Sequence, residues 1–345
     1  MAFPERLRTA EALALRAPDR LPAAPDRLPL SEAAASYARA ALAPATRRAY
    51  RSHLRAWEAW CRTRDLPPLP APPPLVANHL AELAGRRSVS TLSCRLAAII
   101  RAHRLLGLGF DVTDAGLRET VAGIVRTHGR APRRRAAPLR TDQILRIAAA
   151  CGEDLRGLRD RALLLVGFAG AFRRSELVGI RCDDLAFGAD GVSVRLPRSK
   201  EDQAGIGAHV HVAANRAGGD CPVRALRRWL TAAGIASGSV FRRIGRGTTL
   251  GAAPLTPESV RLILRARAAA AGLSANVLAT LSPHSLRAGC ITTLAEARVH
   301  ERDIMAHSRH ASQSVMRGYI RASGTGLPAA VLWSGSAGNI DDEVA

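Results

Sequence analysis

The sequence contains almost no lysine. Of its 50 basic residues, 49 are arginine and only Lys200 is lysine. Because arginine is used wherever a plain positive charge is needed, the single lysine indicates a task that arginine cannot perform. A guanidinium stays protonated at any working pH, whereas the pKa of an ammonium can be lowered until it gives up its proton. Lys200 is therefore a candidate general acid.

Other features that the chain lacks exclude whole classes of protein. The six cysteines form no C-x-x-C pair and have no metal-ligand spacing, which excludes a disulfide framework and a zinc module. Charges stand in the first eight residues where a secretory signal would need an apolar region. The longest apolar run, residues 162–171, is too short to span a bilayer. We therefore expect a soluble cytoplasmic protein.

Tyrosine is also scarce, and its position near the end of the chain is informative. The chain has three tyrosines, of which only Tyr319 lies close to His284, Arg287 and His310 in sequence. A guanidinium matches the non-bridging oxygens of a phosphate, and a phenol can act as a covalent nucleophile. Residues 283–321 therefore predict a phosphate-handling site, although a basic helical tail with one core tyrosine would show the same composition.

The net charge of +21 indicates a polyanionic partner. Residues 1–140 carry 24 arginines against 11 acidic residues, and residues 141–345 carry 26 basic residues against 18 acidic ones. Since both halves are basic, a long partner that runs along both is favoured, and double-stranded DNA is the first candidate. A basic surface of the ribosomal or chaperone type is the alternative.

The pattern along the chain predicts two domains of a mainly helical α+β protein. Residues 1–30 repeat Ala-Pro-Asp-Arg-Leu-Pro and predict a disordered proline-rich arm. Residues 31–128 predict a compact helical domain, and residues 129–140 a basic linker. Residues 141–345 combine helices with two strands and predict a mixed α/β domain with a small antiparallel sheet.

The helical domain has one apolar and one basic face. Tyr50, Leu54, Trp57 and Cys61 recur at helical spacing, so they predict an inward stripe with Trp57 and Trp60 in the core. Arginines cover the remaining faces and the linker. The residues predicted to contact DNA are Arg47, Arg48, Arg51, Arg86, Arg87, Arg95, Arg101, Arg133, Arg134 and Arg135.

The second domain places further polar residues in recognisable local structure. A helical stretch, residues 158–180, breaks at Gly170, after which Arg173 and Glu176 stand at i and i+3, where a carboxylate can hold a guanidinium. Residues 192–196 and 209–212 alternate like strands around a mobile hairpin loop that carries Lys200. His209 and His211 share one side of their strand, where a metal pair is possible but two exposed histidines are favoured.

The order of these residues resembles the catalytic signature of the tyrosine recombinases, also called the phage integrase family. The match consists of Arg173 with Glu176, a lysine on a β-hairpin, His284-x-x-Arg287, and His310 nine residues before Tyr319. It spans residues 31–345. Within the family, RAWEAWCRTRDLPP and VMRGYIR most resemble segments of Cre recombinase.

The resemblance implies a SAM-like core-binding domain and a catalytic domain that together clamp double-stranded DNA, four protomers on two DNA sites, and no metal or ATP. It implies that Tyr319 attacks the scissile phosphate to give a 3′-phosphotyrosine, and that strands exchange through a Holliday junction. Bacterial, phage or plasmid origin and association with the nucleoid are also expected. By the same resemblance, Arg173 and Arg287 bind the phosphate oxygens, and His310 donates a hydrogen bond to the phosphate. Lys200 protonates the leaving oxygen, and His284 accepts the proton of Tyr319. Glu176 orients the active-site helix.

Several alternatives stay open at this point. His307 competes with His310 for the second histidine position, although the interval to Tyr319 favours His310. The apolar segment 327–333 is implied to dock on a neighbouring protomer, but it could pack on its own domain. A DNA-binding protein without chemistry, a type IB topoisomerase and, least favoured, a histidine-metal nuclease are the competing functions.

Lys200→Arg tests the general-acid hypothesis. We expect strand cleavage to slow strongly although the positive charge is kept, because a guanidinium does not give up a proton. The rate of strand cleavage on a DNA target, measured beside DNA affinity, checks this. A wild-type cleavage rate would remove the assignment.

Overall fold

The computed structural model describes residues 31–131, 137–197, 207–215, 219–310, 312–313 and 316–317. The chain forms two units, Met1–Arg133 and Arg134–Ala345, and the division falls within the predicted linker. Several predicted features lie outside the described residues, namely the arm 1–30, Arg133, Arg134, Arg135, Lys200, Tyr319 and the segment 327–333.

The described part of the first unit is helical, as predicted. Its helices are α1 (Glu32–Ala40), α2 (Pro44–Arg62), α3 (Pro73–Leu83), α4 (Val89–Leu105) and α5 (Ala115–His128). Proline begins α2 and α3, where its missing N–H costs no helical hydrogen bond. The side chains of Ser31, Ser88 and Asp114 cap α1, α4 and α5 by accepting a backbone N–H.

The predicted stripe on α2 faces the core of this unit. Trp57 and Cys61 are fully buried, and the indole N–H of Trp57 donates to the carbonyl of Pro68 at 2.9 Å. Trp60, predicted as core, is half-buried and stacks on Trp57 with ring centroids 5.3 Å apart. Its own indole N–H donates to Glu82 on α3, so a polar tip stays at the surface while the ring packs inward.

Among the predicted DNA-contacting arginines that lie within the described residues, Arg95 is the one that is buried. It is 8% exposed, and its Nη1 lies 2.9 Å from Nε2 of His79. Burial and the nearby Arg95 lower the pKa of His79 to about 4, so the neutral imidazole accepts the bond. The register of α4 explains this position, because residue 95 lies on the same face as the buried Leu92 and Ile99.

The second unit combines helices with two small sheets, which confirms the predicted fold class. The helices are α6 (Thr141–Ala149), α7 (Leu155–Ala169), α8 (Arg174–Gly179), α9 (Pro222–Ala232), α10 (Pro257–Ala270), α11 (Ala275–Thr280), α12 (His284–Glu296) and α13 (Glu301–Ser308). The strands are β1 (Leu185–Phe187), β2 (Gly191–Leu196), β3 (Ala208–Ala213), β4 (Arg242–Ile244) and β5 (Leu250–Pro254).

Helix α7 lies at the centre of this unit. All residues from 157 to 167 except Arg161 are buried, and the helix packs against α6, α9 and α12. A helix that is apolar on most of its surface needs such neighbours on several sides. Within the described ranges, however, neither α7 nor any other helix is long and apolar enough to cross a bilayer.

Strands β1, β2 and β3 form an antiparallel sheet in that order. β2 and β3 pair from Gly191↔Ala213 to Leu196↔Ala208, so the strands predicted to flank Lys200 are present. Alternation follows the pleat: Val210 and Val212 are buried, whereas His209 and His211 are exposed. Among the described residues, no group of three or more His, Cys, Asp or Glu side chains is placed to hold a metal ion. The pair β4–β5 was not predicted, because its strands are too short to show a period.

The last residues of the predicted linker pack along α12. Leu139 is 1% exposed, and its N–H donates to the carbonyl of Ser285 at 3.1 Å. Gly289 allows this approach, because a Cβ there would lie 2.0 Å from the carbonyl oxygen of Leu139. Further along, Arg140 donates to Glu296 at 3.2 Å. Residues 139 and 140 therefore belong to the second unit and brace the helix that carries His284 and Arg287.

Gly289→Ala tests how closely the segment at residues 139 and 140 packs on α12. We expect the free energy of unfolding of the second unit to fall by about 1–3 kcal/mol, because the added carbon must displace the backbone of Leu139. Gly179→Ala is the control, since a Cβ there meets no atom within 4 Å. Urea unfolding of the whole chain, with hydrogen exchange at the α12 amides, measures the effect. Equal stability of the two variants would contradict the close packing.

Candidate active site

A tight turn between α7 and α8 places Arg173. Gly170 is required at its start, because a Cβ there would lie 2.1 Å from the ring of Phe172, which is itself 1% exposed. Ala171 follows with a φ of 45°, a left-handed backbone that is unusual for a residue with a side chain. The turn leaves Arg173 as the residue that precedes α8, with its side chain 15% exposed.

Glu176 binds Arg173 in two ways. The carboxylate Oε1 accepts from Nη1 of Arg173 at 2.7 Å, and Oε2 accepts from the backbone N–H of the same residue at 2.9 Å. The first of these is the contact that the i, i+3 spacing predicted. Burial by itself raises the pKa of Glu176, but the charges and hydrogen bonds of Arg309 and Arg173 outweigh it, so this pKa lies below its usual value.

Arg309 completes the partners of Glu176, and the sequence did not single it out. Its Nη2 donates to Oε2 of Glu176 at 3.0 Å, and its side chain is 9% exposed. It stands between His307 and His310, and one arginine among 49 carries no compositional signal. The one signal in the sequence that could have indicated Arg309 is its position directly before His310.

Arg287 and His310 form the inner part of the site. Arg287, on α12, is 1% exposed, and its Nη1 donates to the carbonyl of Ala171 at 2.8 Å. Its Nη2 lies 3.3 Å from both ring nitrogens of His310. The hydroxyl of Ser308 lies 2.7 Å from Nδ1 of that ring, so it fixes the orientation of the imidazole. Ser308 is a second contributor that sequence analysis missed.

The other two histidines differ in their surroundings. His284 begins α12 and is exposed, and desolvation by its neighbours together with the charges of Arg287 and Arg173 lowers its pKa below its usual value. It is therefore neutral near pH 7 and able to accept a proton. His307 points elsewhere, with Nε2 2.8 Å from the carbonyl of Ala169. Of the two competing histidines, it is His310 that lies against the guanidinium of Arg287.

The site carries an excess of positive charge. Arg173 and Arg309 bind the carboxylate of Glu176, and Arg287 donates to the carbonyl of Ala171, which Arg309 also binds. Among the described residues of the site, Glu176 is the one carboxylate in contact with any of these three guanidinium groups. The carbonyl of Ala171 accepts from both Arg287 and Arg309, and a carbonyl does not neutralise their charge. Such a group of fixed cations is suited to an anion whose charge is spread over several oxygens, such as a phosphodiester.

The described residues just before Tyr319 are attached to α13. Met316 is fully buried with Ile291 and Ile304, and Arg317 donates from Nε and Nη2 to the carboxylate of Glu301 at 2.8 and 3.1 Å. Residues 316 and 317 therefore belong to the same packed unit as the arginine cluster.

The predicted DNA-contacting arginines in the described part of the first unit differ in exposure. Arg48, Arg86 and Arg87 are exposed, whereas Arg47, Arg51 and Arg101 are half-buried. Arg95, buried against His79, differs from the rest as described above. The set therefore keeps six surface or partly exposed members, which are Arg47, Arg48, Arg51, Arg86, Arg87 and Arg101.

Comparison with known proteins gives consistent matches. The profile of the phage integrase family matches residues 138–325, more than half of the chain. An integrase/recombinase xerD homolog of Selenomonas ruminantium is 35% identical over 281 residues, which cover 80% of this chain and 81% of that protein.

Solved structures share the fold at lower identity. A lambda integrase (75–356) dimer bound to a COC′ core site superposes with a TM-score of 0.58 at 17% identity, covering 85% of this chain and 94% of that one. A lambda integrase tetramer bound to a Holliday junction gives a TM-score of 0.53 at 17% identity, covering 82% and 74%. At this identity the likeness shows the fold alone.

Glu176→Gln tests the charge balance of the site. We expect the free energy of unfolding to fall by about 3 kcal/mol, because two largely buried guanidinium groups lose their carboxylate. The lowered pKa means that the carboxylate stabilises the fold above the unfolded-state pKa of glutamate. This contribution is lost as the pH falls through the folded-state pKa, so the difference from wild type should shrink in acid.

The matched control is Glu258→Gln, which breaks another i, i+3 pair with an arginine, Arg261, but at an exposed position. Solvent screens that pair, so no resolvable change is expected. Urea unfolding over a pH series measures both variants. A Glu176→Gln protein as stable as the control would contradict the role of the buried carboxylate.

Proposed function

This chain belongs to the phage integrase family, and on that premise we propose that it is a site-specific DNA recombinase. It would cleave and rejoin DNA through a 3′-phosphotyrosine intermediate and a Holliday junction. Members of the family are enzymes that break and rejoin DNA. The observation that carries the proposal for this chain is the cluster of three arginines, in which Arg173 and Arg309 share the carboxylate of Glu176 and Arg287 and Arg309 share the carbonyl of Ala171.

The proposed chemistry uses these cations to neutralise the reacting phosphate. Arg173 and Arg287 bind the non-bridging oxygens of the scissile phosphodiester, and His310, held by Ser308, donates a further hydrogen bond. Phosphoryl transfer depends mainly on positioning and on neutralising the charge of the transition state. Burial of Arg287 at 1% exposure supports this role, because a guanidinium away from water interacts strongly with an anion.

Two proton transfers accompany the exchange of bonds. The phenol oxygen of Tyr319 forms a bond to phosphorus, and its proton passes to neutral His284. The bond from phosphorus to the 5′ oxygen breaks, and Lys200 gives that oxygen a proton. The lowered pKa of His284 supports its role as acceptor. The antiparallel pairing of β2 and β3 supports a hairpin that presents Lys200. Rejoining reverses these steps on a new 5′ hydroxyl.

Attachment of the preceding segment supports Tyr319 as the nucleophile. Met316 and Arg317 are held by α12 and α13 of the same unit that carries the arginine cluster. Met316 and Arg317, which stand three and two residues before Tyr319, thus pack on α13 and on α12, the helix that carries Arg287. We propose that Glu176 acts by holding Arg173, with which it makes both a side-chain and a backbone contact.

The proposed partner is double-stranded DNA, bound by a homotetramer on two sites. The lambda integrase structures of the same fold are bound to a core site as a dimer and to a Holliday junction as a tetramer. We propose that the exposed arginines of the first unit contact phosphates, together with Arg133, Arg134 and Arg135. The likeness to Cre recombinase, and location in the cytoplasm near the nucleoid, stay predictions.

Tyr319→Phe tests the nucleophile. With a nicked suicide substrate that carries the target site, wild type should form a covalent protein–DNA adduct, and the variant should form none while it binds DNA nearly as well. Tyr37→Phe is the matched control, because Tyr37 is 80% exposed on α1, and it should form the adduct like wild type.

The same assay separates the alternatives. A wild-type protein that binds the site but forms no adduct would be a DNA-binding protein without chemistry. Adduct formation with relaxation of supercoils by a monomer at any sequence would indicate a type IB topoisomerase. Cleavage by Tyr319→Phe would show that another residue is the nucleophile.

A further inference from the structure

We propose that Arg309 is a positioning residue of this site. It holds the carboxylate of Glu176 and the turn at residues 170–172, and thereby keeps both phosphate-binding arginines, Arg173 and Arg287, in place. This inference rests on the proposed function and adds to it a residue that the sequence pattern did not indicate. Arg309 acts through its neighbours and does not touch DNA.

The backbone directs the Arg309 side chain into the protein. Arg309 ends α13 with φ 57° and ψ 48°, a left-handed conformation that a residue with a Cβ adopts only at a cost. Glycine would occupy this position more easily. Because the conformation turns a long side chain inward, where it is 9% exposed, the contacts of the guanidinium must offset both the backbone cost and the loss of water.

All four N–H groups on the two terminal nitrogens of Arg309 have protein acceptors. Nη1 donates to the carbonyls of Gly170 at 3.2 Å and His307 at 2.8 Å. Nη2 donates to the carbonyl of Ala171 at 3.0 Å and to Glu176 at 3.0 Å. The fork therefore has no terminal donor left for a phosphate.

Arg309 connects the two phosphate-binding arginines. Its own carbonyl accepts from Nη2 of Arg173 at 3.2 Å, and both residues share the carboxylate of Glu176. On the other side, Arg309 and Arg287 donate to the same carbonyl, that of Ala171. Removal of this guanidinium would take away one of the two arginines that bind the carboxylate, one of the two donors to the Ala171 carbonyl and the donor to the Gly170 carbonyl. Arg173 and the turn should then move, and small displacements of positioning groups are costly in catalysis.

Arg309→Gly is the main variant, because glycine accepts the positive φ and removes the side chain without added strain. We expect the rate of adduct formation at saturating suicide substrate to fall about 10- to 100-fold. The Kd for the DNA site should stay unchanged, since the surface arginines are intact. Arg309→Lys should remain well below wild type, because one ammonium cannot reproduce a planar fork. Arg302→Ala, which removes an 87% exposed arginine of the same helix, should match wild type.

Two further readings distinguish positioning from a general loss of structure. Millimolar guanidinium chloride should restore part of the cleavage rate of Arg309→Gly, whereas potassium chloride at equal ionic strength should not. In a Glu176→Gln background, Arg309→Gly should reduce the rate much less than in wild type, because the two residues act as one unit.

Each outcome bears on the inference separately from the proposed function. If wild type forms no adduct, the recombinase proposal fails and the inference fails with it. If wild type forms the adduct, the inference is overturned by wild-type cleavage in Arg309→Gly. It is also overturned if guanidinium chloride does not restore the cleavage rate of Arg309→Gly and if Arg309→Gly lowers the rate as much in the Glu176→Gln background as in wild type.

Discussion

The carboxylate of Glu176, buried between two guanidinium groups, is the interaction on which the site depends. Both of its oxygens are used, one by the side chain of Arg173 and the other by the backbone of that residue and by Arg309. Burial alone would raise the pKa of this carboxyl group, but the charge of Arg309 and the hydrogen bonds and charge of Arg173 lower it below its usual value. The carboxylate of Glu176 thus holds Arg173 at the start of α8 and, through Arg309, the end of α13 and the turn at residues 170–172.

The site holds its remaining positive charge without neutralising it. Arg287 is bound by the carbonyl of Ala171 and lies against His310, and neither partner carries a negative charge when the imidazole is neutral. Carbonyl dipoles satisfy N–H donors but leave the net charge of the group in place. The consequence is a largely buried group of cations, an arrangement suited to binding an anion such as a phosphodiester.

Backbone packing gives this cluster its rigidity. The backbone of Leu139 packs closely against α12 at Gly289. In the turn between α7 and α8, the ring of Phe172 packs closely against Gly170. Both contacts need the absence of a side chain. They lie outside the chemical groups of the site, but they determine where His284, Arg287 and Arg173 stand relative to one another. Interiors are densely packed, so such contacts transmit even small displacements.

The sequence by itself determined the mainly helical fold class, the helical first unit, the strand pair β2–β3 and the order of the polar residues, but not the short pair β4–β5. Period and spacing depend only on local geometry, as the inward Trp57 and the Arg173–Glu176 contact illustrate. Tertiary structure alone decided that Arg95 turns inward to His79, that His310 rather than His307 lies against Arg287, and that Arg309 reaches Glu176. These contacts join residues from 16 to 133 positions apart. A pattern read along the chain cannot show them, because they exist only once the helices have packed.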